Sequence, residues 1–229
     1  MLKKILKITG VFFLVVLLSA FAIPYFFKDQ IKEKIKQSIN NNGGTNMTFD
    51  KYTIKAQEAV QAALQTAQSA GQQSVEAVHL LTGIISKGRD ITNYVFQKLG
   101  VNSQGIDIAL QQELQHLPRV QGGQPFFSNE TAQIFNSAEE ISQKMGDEFV
   151  SLEPLLLAII KTNNTAGRIL KDAGCTEDGM RKAIDELRQG QKVQSQSGDE
   201  NYQALNKYAI NLIERAKAGK LDPVIGRDD

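Results

Sequence analysis

Apolar residues recur at helical spacing through most of the chain after Met47. Between Ala56 and Ala70 the small apolar residues fall on one face of a helix, and Gly71 follows as a residue suited to a left-handed C-terminal cap. The next segment, EAVHLLTGIIS, is apolar on nearly every face and predicts a buried helix. Because no segment alternates between polar and apolar residues with a period of two, the pattern predicts no sheet.

The helical pattern repeats along the chain at an offset of 75 residues. Residues 131–160 align without a gap with residues 56–85, and Gly146 falls on Gly71. A repeat of this length indicates a duplicated supersecondary block.

Each repeat predicts four helices. The repeats cover residues 49–117 and 128–187, and segment 118–127, with its glycines and prolines, interrupts helix between them. The sequence therefore predicts an all-α domain over residues 47–187, built from two four-helix units.

A different pattern precedes Met47. Residues 8–27 carry no charge and would span roughly 30 Å as a helix, which predicts a single transmembrane-like helix or a signal sequence within a leader over residues 1–46. The apolar run continues past the small residues at 20–22, which favours an uncleaved anchor. Lysines flank both ends of this apolar run, so charge does not decide which way a membrane helix would be oriented. Segment 28–42 follows, with isoleucines spaced four residues apart. This pattern predicts either an interfacial helix at the membrane surface or a solvated spacer.

Two further segments follow the repeated domain. Residues 188–201 are polar, contain two glycines and show no apolar periodicity, which predicts a flexible linker. Residues 202–229 begin with an amphipathic helical pattern.

Charge and cysteine content narrow the function classes. The first 42 residues carry seven lysines and two carboxylates, which leaves 19 basic and 23 acidic residues in the rest of the chain. A mildly acidic body does not favour nucleic acid as a partner. The single cysteine, Cys175, allows no disulfide within the chain.

Little in the sequence suggests catalysis. His79 lies in a predicted buried helix, His116 ends another, and neither has cysteines or paired carboxylates at metal-ligand spacing. Cys175 takes the place of Val101 in the first repeat, which favours a packing role. No G-x-x-x-x-G-K-[ST] phosphate-binding loop occurs, so we expect no enzyme activity and no cofactor in this chain.

Two resemblances follow from these segments. The start of the chain weakly resembles AsmA-like envelope proteins. The repeats containing EAVHLLTGII and LEPLLLAII resemble the Clp N-terminal domain, and the ending YQALNKYAINLIERAKAGKLDPVIGRDD resembles the entry to the first AAA+ domain of the ClpB disaggregase family. On this resemblance, residues 202–229 are a truncated entry to a nucleotide-binding domain.

The second resemblance implies a non-enzymatic amino-terminal fragment that binds unfolded or aggregated protein for an absent AAA+ motor. It also implies a cytoplasmic location, a hexamer and a DnaK-type chaperone partner, with ATP and magnesium used only by complete family members. The alternative is a membrane-tethered envelope or scaffold protein, held through residues 8–27.

The resemblance also implies particular site residues. Thr53, Asp147 and Glu153 correspond to polar family positions tied to substrate binding, although a helix cap, a turn and a helix N-terminus are equally good interpretations. The apolar groove positions correspond to Phe135, Ser137 and Pro154. The nucleotide-contacting half-site corresponds to Val224, Ile225 and Gly226.

Overall fold

The computed structural model describes residues 49–120 and 125–199. The predicted membrane helix at 8–27, the helix after residue 202 and the half-site Val224, Ile225 and Gly226 lie outside the described residues. Among the helices that are described, none has the length and apolar content needed to cross a membrane. The described helices are α1 (Ile54–Ser69), α2 (Ala77–Lys87), α3 (Arg89–Lys98), α4 (Ser103–His116), α5 (Asn129–Met145), α6 (Leu152–Lys161), α7 (Thr165–Asp172) and α8 (Glu177–Arg188).

The eight helices confirm the predominantly helical class and fall into two sets of four. Thr53 and Ser128, which are 75 residues apart, cap α1 and α5 with nearly identical backbone angles of φ −64° and ψ 161° or 162°. Each hydroxyl oxygen accepts a hydrogen bond from the backbone N–H three residues later. Gly71 and Gly146 then follow these helices at φ +69° and +76°, as the glycine pattern predicts.

The prediction of no sheet was wrong, since two short strands pair in parallel. Strand β1 (Ser74–Val75) pairs with β2 (Phe126–Phe127), with Val75 opposite Phe127. The isolated parallel bridge between Tyr52 and Val150 joins the equivalent positions of the opposite repeats. Two-residue strands are too short to produce a period-two pattern, which is why the sequence shows none. At the 75-residue offset Phe127 corresponds to Tyr52, so the second repeat begins before the predicted boundary at residue 128, and the entry segment of each repeat pairs with the other repeat.

Helices α2 and α6 form the centre of the domain, as their apolar sequences predict. Every residue from Leu152 to Ile160 is buried, and α2 is buried over most of its length. Helix α1 crosses α2 closely at Gly83, where an added Cβ would overlap the carbonyl oxygen of Ala59. The small residues along α1 allow this approach.

Residues 189–199, here called the strap, differ from the flexible linker that their composition predicts. The strap runs from the end of α8 back to the start of α1, and its Val193 and Asp199 are buried. The N–H of Glu148 donates to the Val193 carbonyl at 2.9 Å, and the N–H of Ile54 donates to the Gln196 carbonyl at 2.8 Å. Backbone hydrogen bonds need no hydrophobic pattern, so composition alone does not reveal this packing.

Candidate functional site

Two of the three predicted groove residues lie in the core. Phe135 is fully buried, and its ring meets those of Phe49 and Phe127 edge to face at centroid distances of 5.1 Å. Pro154 is also buried, in the first turn of α6, and Ser137 is half-buried on α5. Phe135 and Pro154 therefore do not line a groove in this structure. An apolar residue on a helix face can either pack into the core or line a groove. In this structure Phe135 is buried because its ring packs in the aromatic cluster.

The three predicted polar residues lie around one buried region whose centre is Arg188. Its Nη1 donates to the Asp147 carboxylate at 2.7 Å, and its Nε donates to Glu153 at 3.3 Å. Its Nη2 donates to the Ser151 hydroxyl at 2.7 Å. The side chain of Arg188 is 4% exposed and those of its two acidic partners are fully buried. Charge-assisted hydrogen bonds of this kind fix the positions of α6, α8 and the loop between α5 and α6.

Thr53 approaches the same region from α1. Besides capping that helix, its hydroxyl donates to the Asp199 carboxylate of the strap at 2.6 Å. Burial, followed by the negative charge of Glu153, raises the pKa of Asp199 to about 8, although Thr53, Lys55 and Arg188 oppose the shift. The strap thus ends on a carboxyl group that is protonated over most of the neutral range.

Sequence reasoning missed three members of this region: Ser151, Arg188 and Asp199. Arg188 is separated from its partners by 35 to 41 residues, and it sits in the last turn of a helix, where a solvated arginine is common. The absence of any apolar run around Asp199 gave no sign that its side chain is buried.

In the first repeat the corresponding contacts are uncharged. The N–H of Glu76 donates to His79 Nδ1 at 3.0 Å, so Nε2 carries the proton and donates to Gln72 Oε1 at 2.7 Å. The Gln72 amide then donates to the Leu114 carbonyl at 2.6 Å, at the end of α4. Burial lowers the pKa of His79 to about 4, against the opposing effect of Glu76. His79 thus has a structural role, with both ring nitrogens hydrogen-bonded.

We expect His79 to remain neutral, as the Nε2–H tautomer, until the pH falls to about 4. The stability that depends on neutral His79 is present above about pH 6.5 and is lost as the pH falls from there toward 4, because the unfolded chain binds the proton first. The chain has only two histidines, so an NMR titration of the imidazole signals measures this directly. The His116→Gln variant assigns the signals, and a His79 signal that titrates near pH 6.5 would contradict the buried hydrogen-bond chain.

A partly enclosed pocket of about 200 Å³ lies between segment 72–76 of the first repeat and segment 117–126, which leads out of that repeat. Polar residues of segment 72–76 line one side, and Leu117, Pro118, Val120 and Phe126 contribute apolar surface. Val120 is 49% exposed and Phe126 is 37% exposed. They are two of the four large hydrophobic residues exposed in the described ranges, the others being Ile54 and Ile108.

The described residues contain no group of metal ligands and no reactive thiol. Over residues 49–120 and 125–199, no three histidine, cysteine or acidic side chains are grouped to hold a metal ion. Cys175 is buried, and that burial raises the pKa of its thiol to about 11. Since the thiolate is the nucleophilic form, Cys175 is a packing residue.

A family model of the Clp repeat (R) N-terminal domain matches residues 51–173, more than half of the chain. The chain belongs to the Clp N-terminal domain family. The match covers all of the first repeat's helices and most of the second's, so the duplicated four-helix plan is that of the Clp N-terminal domain.

Relatives within the ClpB chaperones are similar over most of this Clp N-terminal chain. The ClpB chaperone protein of Bacteroides thetaiotaomicron is 52% identical over 183 residues, which are 80% of this chain and 21% of that protein. The ClpB chaperone protein of Porphyromonas gingivalis is 48% identical over the same shares. The chain thus spans about a fifth of the length of the curated relatives it matches.

Solved Clp N-terminal domains share the fold. The N-terminal domain of Hsp104 from Candida albicans matches with a TM-score of 0.60 at 20% identity, over 66% of this chain and 99% of that one. The N-terminal domain of ClpD from Arabidopsis thaliana matches with a TM-score of 0.50 at 23% identity, over 63% and 99%. At these identities the likeness establishes the fold alone.

Proposed function

We propose that this chain is a non-catalytic binding domain that recruits unfolded or aggregation-prone polypeptide to a ClpB-type disaggregase. Its similarity to ClpB chaperones supports the chaperone context. By the same relationship, a complete ClpB-type protein would use ATP and magnesium, would form a hexamer and would bind a DnaK-type partner through other domains, and the site of action would be the cytoplasm.

The observation that carries the proposal is the pocket between segments 72–76 and 117–126. Half of the large hydrophobic residues exposed within the described ranges, Val120 and Phe126, converge on this one concave surface. Apolar side chains of an unfolded segment gain free energy by leaving water for such a surface, at about 25 cal/mol per Å². Polar residues of segment 72–76 form the opposite side of the same pocket.

Binding through this pocket should be weak and reversible. Ordering a flexible partner offsets much of the contact free energy. A domain that delivers substrate to a motor must also release it, so a modest affinity suits the role.

Replacing both Val120 and Phe126 with serine should weaken binding of an unfolded protein by about five- to tenfold, which corresponds to about 1–1.4 kcal/mol of lost apolar contact. Fluorescence anisotropy with labelled, reduced and carboxymethylated α-lactalbumin measures the affinity. Ile108→Ser is the matched control, because Ile108 is 53% exposed on α4 and does not line the pocket.

Equal affinity of the double variant and the control would remove the pocket from the binding surface. If the unmodified chain bound no unfolded protein at all, the recruiting function itself would be wrong. Circular dichroism of each variant verifies that the helical content is intact.

A further inference from the structure

The strap makes contacts of the kind that a bound polypeptide makes with its receptor. The Val193 carbonyl accepts from the N–H of Glu148, and the Val193 N–H donates to the Asp147 carboxylate at 2.9 Å. The Val193 side chain is fully buried. At Val193 the strap therefore binds through its backbone and one small apolar side chain, which do not require a specific sequence.

Further contacts join the strap to the start of α1 and to the C-terminus of α5. The Gln196 carbonyl accepts from the N–H of Ile54, and the Gln196 side chain donates to the Asp50 carbonyl at 3.1 Å. Lys192 lies beside Gly146 at the C-terminus of α5, where the helix dipole favours a cation. Each of these contacts lies on the domain surface that also carries Thr53 and Asp147.

We propose that the strap closes a polypeptide-binding face in cis, and that an unfolded substrate segment displaces it to reach Thr53, Asp147 and Glu153. This inference rests on the proposed function and adds a second, gated surface to the open pocket. The substrate class follows from the strap itself: a non-helical segment that offers free backbone groups and a valine-sized apolar side chain.

The contacts at the end of the strap make it releasable. Asp199 is buried beside Glu153, and its Oδ1 has no hydrogen-bond partner among the described residues. A buried carboxyl group next to a carboxylate is an unfavourable pairing, which the Thr53 hydroxyl and the charges of Lys55 and Arg188 only partly offset. A substrate segment that places a neutral donor there avoids this conflict, so it can compete with a tethered strap.

The test compares variants that open and close the strap in the 229-residue chain. A Cβ on Gly198 would lie 2.7 Å from Val193 Cγ1 within the strap, so Gly198→Ala should distort the packed conformation of the strap and favour its opening. Val193→Ser opens it by removing the apolar anchor. Asp199→Asn should close it more tightly, because the amide keeps the acceptor for Thr53 and removes the acid. Gly105→Ala is the matched control, since a Cβ there makes only ordinary contacts at 3.9 Å.

Hydrogen exchange at the amides of Ile54 and Glu148 measures strap opening, because both amides donate to strap carbonyls. We expect exchange to be about tenfold faster in the two opening variants and about tenfold slower in Asp199→Asn, with the α2 amides unchanged. Opening should also increase as the pH rises between about 4 and 8, by up to about tenfold per unit, because the closed strap holds a proton that the open carboxyl releases. Asp199→Asn should abolish this dependence.

Affinity for reduced, carboxymethylated α-lactalbumin decides whether the strap competes with substrate. The opening variants should bind about fivefold more tightly than the unmodified chain, and Asp199→Asn more weakly. Faster exchange with unchanged affinity would overturn the competition while leaving the proposed function intact. Unprotected Ile54 and Glu148 amides in the unmodified chain would show that the strap is not closed. Failure of every form to bind would overturn the proposed function, and the competition with it.

Discussion

Replacing Arg188 with alanine should lower the free energy of unfolding by about 3–5 kcal/mol. Arg188 holds Asp147 and Glu153, whose side chains are fully buried, and its removal leaves both carboxylates without that cation. The cost of an uncompensated buried charge exceeds the net contribution of the original pair, so truncating one partner is severe. Urea denaturation at pH 7 measures the change.

The same helix provides the control for this experiment. Arg181 pairs with Glu177 at 3.2 Å, but both side chains are about two-fifths exposed, so Arg181→Ala should cost less than about 1 kcal/mol. Adding Glu153→Gln to Arg188→Ala should recover part of the loss, because one buried charge is then removed. Similar losses for Arg181→Ala and Arg188→Ala would show that the buried cluster is solvated in solution.

Replacing Phe135 with alanine should lower the free energy of unfolding by about 3–5 kcal/mol. Its ring is fully buried against Phe49 and Phe127, and removing it creates a cavity at the centre of the aromatic cluster. Thermal and urea denaturation measure the loss. Phe126→Ala is the matched control: Phe126 is 37% exposed, so its truncation should cost about 1 kcal/mol or less.

This pair of variants also separates two roles for Phe135. As a core residue it should change stability before it changes binding. If Phe135→Ala instead left stability intact and weakened the binding of unfolded protein, the groove position implied by the resemblance would be correct, and the side chain would have to leave the core to reach substrate.

The helical framework is the part of the fold that the sequence predicts best. Periodic apolar residues, the caps Thr53 and Ser128, and the glycines Gly71 and Gly146 each act through local backbone geometry, which a sequence pattern records directly. Because the second repeat copies these signals at a constant offset, each repeat supports the interpretation of the other.

Non-local features were not predictable in the same way. The two-residue strands are formed by partners from opposite repeats, and the strap is held by backbone groups that every residue type carries. At the candidate site, the resemblance pointed to Thr53, Asp147 and Glu153, yet Arg188, which binds two of them, has no local signature. Whether an apolar position such as Phe135 faces the core or a groove depends on packing that periodicity does not encode.

The crossed strand pairings also have an evolutionary meaning. Tyr52 pairs with Val150, and Phe127 pairs with Val75. Because Phe127 is the equivalent of Tyr52 and Val150 is the equivalent of Val75 at the 75-residue offset, each contact is the other with the two repeats exchanged. Two identical copies of one repeat, related by a twofold axis, would make this same pair of contacts across an isologous interface. The architecture of this single chain is thus that of a homodimer whose subunits have become covalently joined, with the residues between Leu117 and Phe126 as the join.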